Sequence, residues 1–278
     1  MSIRFALFAA YALALSAEMA SARTIIVDQS GLGQYTTIQA GIDAAAAGDT
    51  VKVYPGVYHE QVSVTINIVV QGSGYERTQI VPDAYPAVSI GTGKMMWFAI
   101  SSNTGYGVIM SGGILTNCVV WNCPSYGVAV VSGSSPIIEN DDIVDNNNCG
   151  IYVSSGYATV INTIVVGSLD PAESRNISGN TSILYSLYYN VLGVNGTGDI
   201  NLLDSDPEFV SSTDFRLQTG SPCIDAGKPD IYDPDGSRSD MGYYGGPDAP
   251  VFPVVTNLRL YLNSDGSVSV QATAESRY

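Results

Sequence analysis

Positive charge is scarce in this chain of 278 residues: it holds eleven lysines and arginines against 26 acidic residues, and a single histidine. No basic residue at all lies between Lys94 and Arg175. Phosphate binding needs clustered Lys and Arg, so nucleic acid is excluded as a partner. The formal charge of −15 also sets the surface against acidic polysaccharides unless divalent cations mediate. Charged residues are few overall, 13% of the chain, and polarity comes instead from Asn, Ser, Thr and Gly, which suit stacked β turns better than helices. Beyond the N-terminus no apolar run approaches the ~20 residues that a membrane span requires. The four cysteines, Cys118, Cys123, Cys149 and Cys223, do not have zinc-site spacing.

What the chain does have is repetition. Asn117, Asn140 and Asn162 recur at nearly equal spacing, each followed closely by a pair of β-branched residues or valines. A second beat, Tyr106-Gly107-Val108, Tyr126-Gly127-Val128 and Cys149-Gly150-Ile151, keeps almost the same step. Short Val/Ile runs broken by Gly, Asn and Ser at a period in the low twenties mark a solenoid whose unit is strand plus turn. One unit cannot bury its apolar face alone, so the units must stack, and equivalent side chains then line up in ladders. A β-propeller fits less well, because its blades run to about 40–45 residues.

Residues 1–22 have the pattern of a secretory signal: Arg4 near the start, an apolar run from Phe5 to Ser16, and Ala20-Ser21-Ala22 as the cleavage site. The expected localisation is therefore secreted, periplasmic or cell-surface. An oxidising compartment leaves two readings for Cys123 and Cys149, a disulfide between adjacent coils or buried free thiols. Thr24 to Asp28 reads as the first strand. Thr36 to Ala47 reads as a helix, with Thr36 and Gln39 at capping-box spacing, Ile38, Ile42 and Ala45 on one face, and Gly48 as the stop. Its expected task is to cover the open end of the first coil.

The stretch Tyr35-Thr-Thr-Ile-Gln39 through Asp49-Thr-Val-Lys-Val53 to Pro55-Gly56-Val-Tyr-His59-Glu60 resembles the opening segment of right-handed parallel β-helix proteins of the pectin-lyase-like superfamily, exported bacterial type. The resemblance is close over residues 24 to about 70 and looser to about 200. It implies an all-β fold, a right-handed parallel β-helix (solenoid) with an N-terminal capping helix, about seven coils within residues 23–203. A second resemblance, in Asp206-Pro-Glu-Phe-Val and Ser221-Pro-Cys-Ile-Asp225-Ala-Gly227 through Asp240-Met-Gly242, is to the closing segment of such proteins and implies a C-terminal cap over 204–246. Residues 247–278 read as a linker and an incomplete β-sandwich-like tail, with strands at 256–263 and 267–271.

The superfamily's catalytic strings are mostly missing. The esterase aspartate motifs are absent, the only histidine is His59 in an early turn, and the coils from Met95 to Ser174 have no basic side chain for proton abstraction. The catalytic residues are therefore unassigned, and the chain reads as a polysaccharide-binding β-helix, with a divergent lyase or glycoside hydrolase and a structural or adhesive surface protein, part of a larger assembly, as alternatives. Candidate substrate-binding residues are Tyr106, Tyr126, Asp142, Asp145 and Arg175, the last where the repeat breaks. Glu139, Asp141, Asp142 and Asp145 form the densest acidic group of the coils, either a cation or carboxylate-pair site or a turn enlarged by Asp141 with solvated neighbours. Asp233, Asp235 and Asp240 around Gly236 supply oxygens that suit calcium, or a turn charge-paired through Arg238. The asparagines of the repeat read as an internal hydrogen-bonded ladder. Sequons at Asn176, Asn180 and Asn195 matter only in a host that glycosylates exported chains.

Overall fold

The computed structural model describes residues 21–132, 135–167, 175–178, 180–189, 203–251, 253–263, 265 and 267–276. Most of the signal segment, Asn195 and the side chains of Arg175 and Asn176 lie outside these residues. The chain winds into a parallel solenoid of about seven coils with three sheets. The first sheet stacks Thr24–Val27, Thr50–Val53, Val69–Gln71, Lys94–Met96, Ile114–Thr116, Ile137–Glu139, Ala158–Ile161 and Thr181–Leu184. The second runs from Gly56–Tyr58 through Thr78–Ile80, Ala99–Ile100, Val119–Trp121, Asp142–Val144 and Ile164–Val166 to Leu187–Tyr189 and Leu203–Asp204. Val62–Val64, Val88–Ile90, Val108–Met110, Tyr126–Val130, Cys149–Val153 and Arg175–Ser178 make the third.

Such short strands can each turn only one or two side chains inward, so the core is a set of columns. Val51, Val70, Met95, Leu115, Ile138, Val160 and Ile183 pair in register down the first sheet, and all are fully buried. Ile80, Ile100, Val120, Ile143 and Val165 form the facing column of the second sheet. β-branched and Leu side chains fit this pleated, close-stacked interior. Each side chain so buried contributes on the order of 1.5–3 kcal/mol.

The helix forms but is shorter than the sequence pattern predicts, Ile38–Asp43. Its N-cap is Thr37, whose Oγ1 accepts from Ala40 N at 3.4 Å. Gln39 does not close a capping box; its Oε1 accepts from Ser63 N at 2.7 Å and its Nε2 donates to Asp43. The free amides of the first turn, Ile38 N and Gln39 N, donate instead to the Glu60 carboxylate at 2.7 and 3.0 Å. Ile38 and Ile42 are buried, and Gly41 sits so close to the first two strands that a Cβ there would lie 2.6 Å from Val27 Cγ2. At the helix's C-terminal side Asp49 accepts from Ala46 N and Arg23 N and pairs with the Arg23 guanidinium at 2.7 Å.

The tail strands run longer than expected, as an antiparallel pair Pro253–Leu262 and Val268–Ser276. Leu260 faces Val270 and Leu262 faces Val268, and all four are exposed. The described residues contain no second sheet to complete a sandwich around them. All four cysteines are buried and none forms a disulfide, so Cys123 and Cys149 are not bridged.

Because the columns are continuous, a cavity in one coil is felt by both neighbours. Leu115→Ala is expected to cost about 2–5 kcal/mol in equilibrium denaturant unfolding; a cost below the lower end of that range would mean the column is not close-packed.

Candidate functional site

Two corners of the coil carry the polar residues singled out in the sequence, and they behave differently. At the first, between the first and second sheets, one residue per coil adopts a left-handed conformation: Trp97, Asn117, Asn140, Asn162 and Tyr185, with φ of 67°, 47°, 54°, 48° and 49°. Asparagine tolerates this region better than other side chains do, which explains the repeat. The asparagine side chains do not bond to one another. Asn117 Nδ2 donates to the carbonyls of Tyr243 and Gly245 at 2.7 and 2.8 Å, and Asn140 Nδ2 to the Asp240 carbonyl at 3.0 Å. Asn162 Nδ2 donates to Ser239 Oγ at 3.1 Å while its Oδ1 accepts from Lys228 N at 2.7 Å. The expected internal ladder is thus a set of anchors for another segment.

That segment, residues 204–249, lies along the flank as a strap: Phe215 reaches Tyr75 and Trp121, and from Lys228 to Asp248 the chain meets progressively earlier coils. Lys228 lies at the Asn162 coil, Asp240 at Asn140, and Asp248 beside Lys94 and Trp97, whose Nε1 donates to the Asp248 carbonyl at 2.8 Å. It covers the outward row of the second sheet, Ala99, Val119, Asp142, Ile164 and Leu187, with Phe215, Tyr243, Cys223 and Met241. The strap lies here because this row is apolar and the corner amides need partners.

The acidic group of the coils is therefore no cluster. Asp141 points inward at the position held by Cys118 and Thr163 in adjacent coils, and its Oδ1 accepts from Cys118 N at 2.7 Å. It is not an inserted turn residue. Asp142 is 1% exposed beneath the strap, with no well-formed hydrogen bond to either carboxyl oxygen and the Tyr243 backbone amide as a weak partner. Burial holds the pKa of both well above the usual carboxylate range. Asp142, expected at a substrate-binding surface, instead lies buried beneath the strap. Asp145 lies elsewhere, at the second corner.

The second corner, between the second and third sheets, faces solvent. Here Asn122 and Asp145 are left-handed, with φ of 53° and 51°. With Ser102, Asn103, Cys123, Pro124 and Asn147 they line a cleft of about 320 Å³. Burial raises the Asp145 pKa. Beside it runs a row of rings: Tyr85 meets Tyr106 edge to face at 5.6 Å, Tyr106 stacks on Tyr126 at 5.1 Å, and Tyr126 on Tyr152 at 4.6 Å. Tyr106 and Tyr126 each have rings on both sides and are half-buried, while Tyr85, at the end of the row, is 57% exposed. Tyr106 and Tyr126 thus stack on each other, Asp145 lines the cleft at the same corner, and Asp142 lies on another flank. The Arg175 backbone pairs with Cys149 on the third sheet. Tyr85 stands one repeat before Tyr106 and is detectable from the period; Tyr152 lies past Cys149, out of step with it, and is not.

In the strap, Asp233, Asp235 and Asp240 line a cleft of about 690 Å³ with Asp225, Arg216 and Tyr244. Their oxygens already accept from the loop's own backbone: Asp233 from Gly246 N and Asp240 N, Asp240 from Asp225 N, and Asp235 from Ser237 N. Arg238 pairs with none of them; it donates to the Gly227 and Ala226 carbonyls and lies 5.5 Å over the Tyr185 ring. Among the described residues no group of three or more His, Cys, Asp or Glu side chains is arranged to hold a metal ion. Desolvation raises Asp233 to about 7 and Asp240 to about 6 despite their amide partners.

A family model described as a right handed beta helix region matches residues 88–186. No curated protein matches the chain. Among solved structures, the crystal structure of pectate lyase Pel9A is similar over 82% of this chain and 97% of its own, at 14% identity and a TM-score of 0.37. So loose an overlap assigns no residue a role. No helix among the described residues is long and apolar enough to cross a membrane.

Buried acids make a pH prediction. A carboxyl whose folded pKa lies above the unfolded ~3.9 stabilises the fold below that value and loses this contribution as pH rises through the folded pKa. For Asp240 and Asp233 the loss falls between about pH 4 and 7, and Asp142 adds to it in the same direction. Melting temperature is expected to be higher at pH 5 than at pH 8. Asp142→Val, which matches Val119 and Ile164 in its row, is expected to raise stability at pH 8 by about 1–3 kcal/mol and flatten the profile. Loss of stability in this variant would show that the carboxyl has a partner.

Proposed function

Starting from a right-handed parallel β-helix of the pectin-lyase-like kind, we propose that this protein is exported and binds polysaccharide along its second corner. The observation that carries the reading is the tyrosine row bordering a solvent-open cleft of amide and carboxyl side chains, spread over successive coils. Ligand sites combine apolar surface with a few convergent polar groups, and this corner does so along the direction in which an extended chain would lie. Export rests on the pattern of residues 1–22. A structural or adhesive role is favoured by one feature only, the tail hairpin with its exposed Leu260, Leu262, Val268 and Val270.

The test is retention of the protein on a panel of pectins, alginates and neutral glycans, with the products examined afterwards. Retention without turnover is the expected outcome. Unsaturated products absorbing in the ultraviolet would make the protein a lyase, and no retention by any glycan would favour the adhesive reading.

Calcium at Asp233, Asp235 and Asp240 is a separate proposal. Its support is a cleft shared by four carboxylates in a chain of charge −15; against it stands their use by the loop's own amides. Binding to the folded state alone would stabilise by about 2.7 kcal/mol at a hundredfold excess over Kd. A melting temperature raised by calcium, with the increment abolished in Asp235→Ala, supports a bound ion. Identical midpoints in calcium and in chelator leave a turn held by its own backbone.

A further inference from the structure

We infer that the second corner selects neutral, hydroxyl-rich glycan chains and turns away uronate-bearing ones. The inference rests on the binding reading above and adds the class of chain.

Charge is the first observation. The coils that line the cleft, from Ser102 to Asn147, contain no Lys, Arg or His. Lys94 is committed to the opposite flank, where it pairs with Asp248 of the strap. His59 lies two coils away, its Nδ1 against the Val81 carbonyl at 2.9 Å. The charged groups at the cleft itself are carboxyls: Asp145 in its lining and Asp83, which accepts from Asn103 Nδ2 at 3.1 Å. A uronate entering here would give up water, meet like charge and find no counterion among the described side chains. Burial already disfavours the anionic form of Asp145, so a second anion beside it is opposed further. A bridging cation would need a set of ligands that the described side chains do not assemble.

The second observation is what the cleft offers instead. The amides of Asn103, Asn122 and Asn147 both donate and accept, as do the phenols of the row, and carboxyls accept from hydroxyl donors; the Ser102 hydroxyl is buried and already accepts from the Thr104 and Gly105 amides. At one end Tyr85 is held by its contacts: a Cβ on Gly105 would lie 2.7 Å from its ring, and Tyr106 meets it edge to face. Its exposed face is suited to the apolar side of a pyranose, with Asp83 and Asn103 next to it to receive the ring's hydroxyls. Asn103 also lines the cleft, so the stacking end and the polar cleft form one track.

Affinity electrophoresis of the full chain in gels containing a neutral β-glucan, a neutral galactan or polygalacturonate tests this. Retardation by a neutral glycan, unchanged by added salt, with none by polygalacturonate, is the expected result. Tyr85→Ala should weaken that retardation about tenfold, and Asp145→Lys should introduce salt-sensitive retardation by polygalacturonate, with melting curves confirming that both variants fold. Retardation by polygalacturonate and not by neutral glycans would overturn the inference while leaving the binding reading standing, the more so if Arg175→Ala abolished it. Retardation by none of the three would overturn both.

Discussion

In-register parallel pairing of each coil on the one before it is the constraint from which the rest of the structure follows. Backbone hydrogen bonds between successive strands set the rise, about 4.8 Å per coil, and force equivalent side chains into columns. Coil length is not constant: the stretch of chain from Val51 to its stacked partner Val70 is clearly shorter than that from Val70 to Met95. Register survives because surplus residues are expelled at the corners, where no ladder is interrupted. One such excursion carries Tyr75, whose hydroxyl accepts from Phe215 N at 3.1 Å and whose own amide donates to the Tyr243 hydroxyl at 3.1 Å. An irregularity in the repeat thereby becomes a seat for the strap.

The strap follows from the chemistry of the first corner. A one-residue bend with positive φ favours asparagine, and asparagine brings an amide that must find partners once buried. Carbonyls of 240–245 and the Ser239 hydroxyl supply them, while Met241, Tyr243 and Phe215 cover the apolar row alongside. Polar anchoring and apolar cover act on the same flank, so the segment lies along the solenoid rather than over its end. Asp142 is the exception in that row, a buried carboxyl with at most the weak Tyr243 amide contact where its neighbours are Val119 and Ile164.

Covering one flank leaves the other to face solvent. The strap draws Lys94 to its side through Asp248, which removes a cation from reach of the open corner and leaves carboxyls, amides and phenols there. The tyrosines of this corner stabilise the outer surface by stacking on one another, and Tyr85 at the end of the row is the most exposed of them. Fold alone does not fix function, so the proposed role belongs to this corner and not to the solenoid in general.

From the sequence alone, the period of Asn117, Asn140 and Asn162, the Val/Ile runs between them and the single helix near residue 40 determined a stacked β-solenoid, because side-chain columns require that repetition to be written into the chain. Tyr106 and Tyr126 were legible as neighbours for the same reason: they hold equivalent positions in successive repeats. Only the tertiary structure decided that Asp141, Asp142 and Asp145, nearly adjacent in sequence, face the core, the strap and solvent. One strand and two bends separate their directions, and a sequence pattern does not show where a bend falls. It also decided that the asparagine side chains bind a segment several coils further along the chain, and that 204–249 lies on a flank. Those contacts arise from complementary amides and apolar surface brought together in space, and no local spacing encodes them.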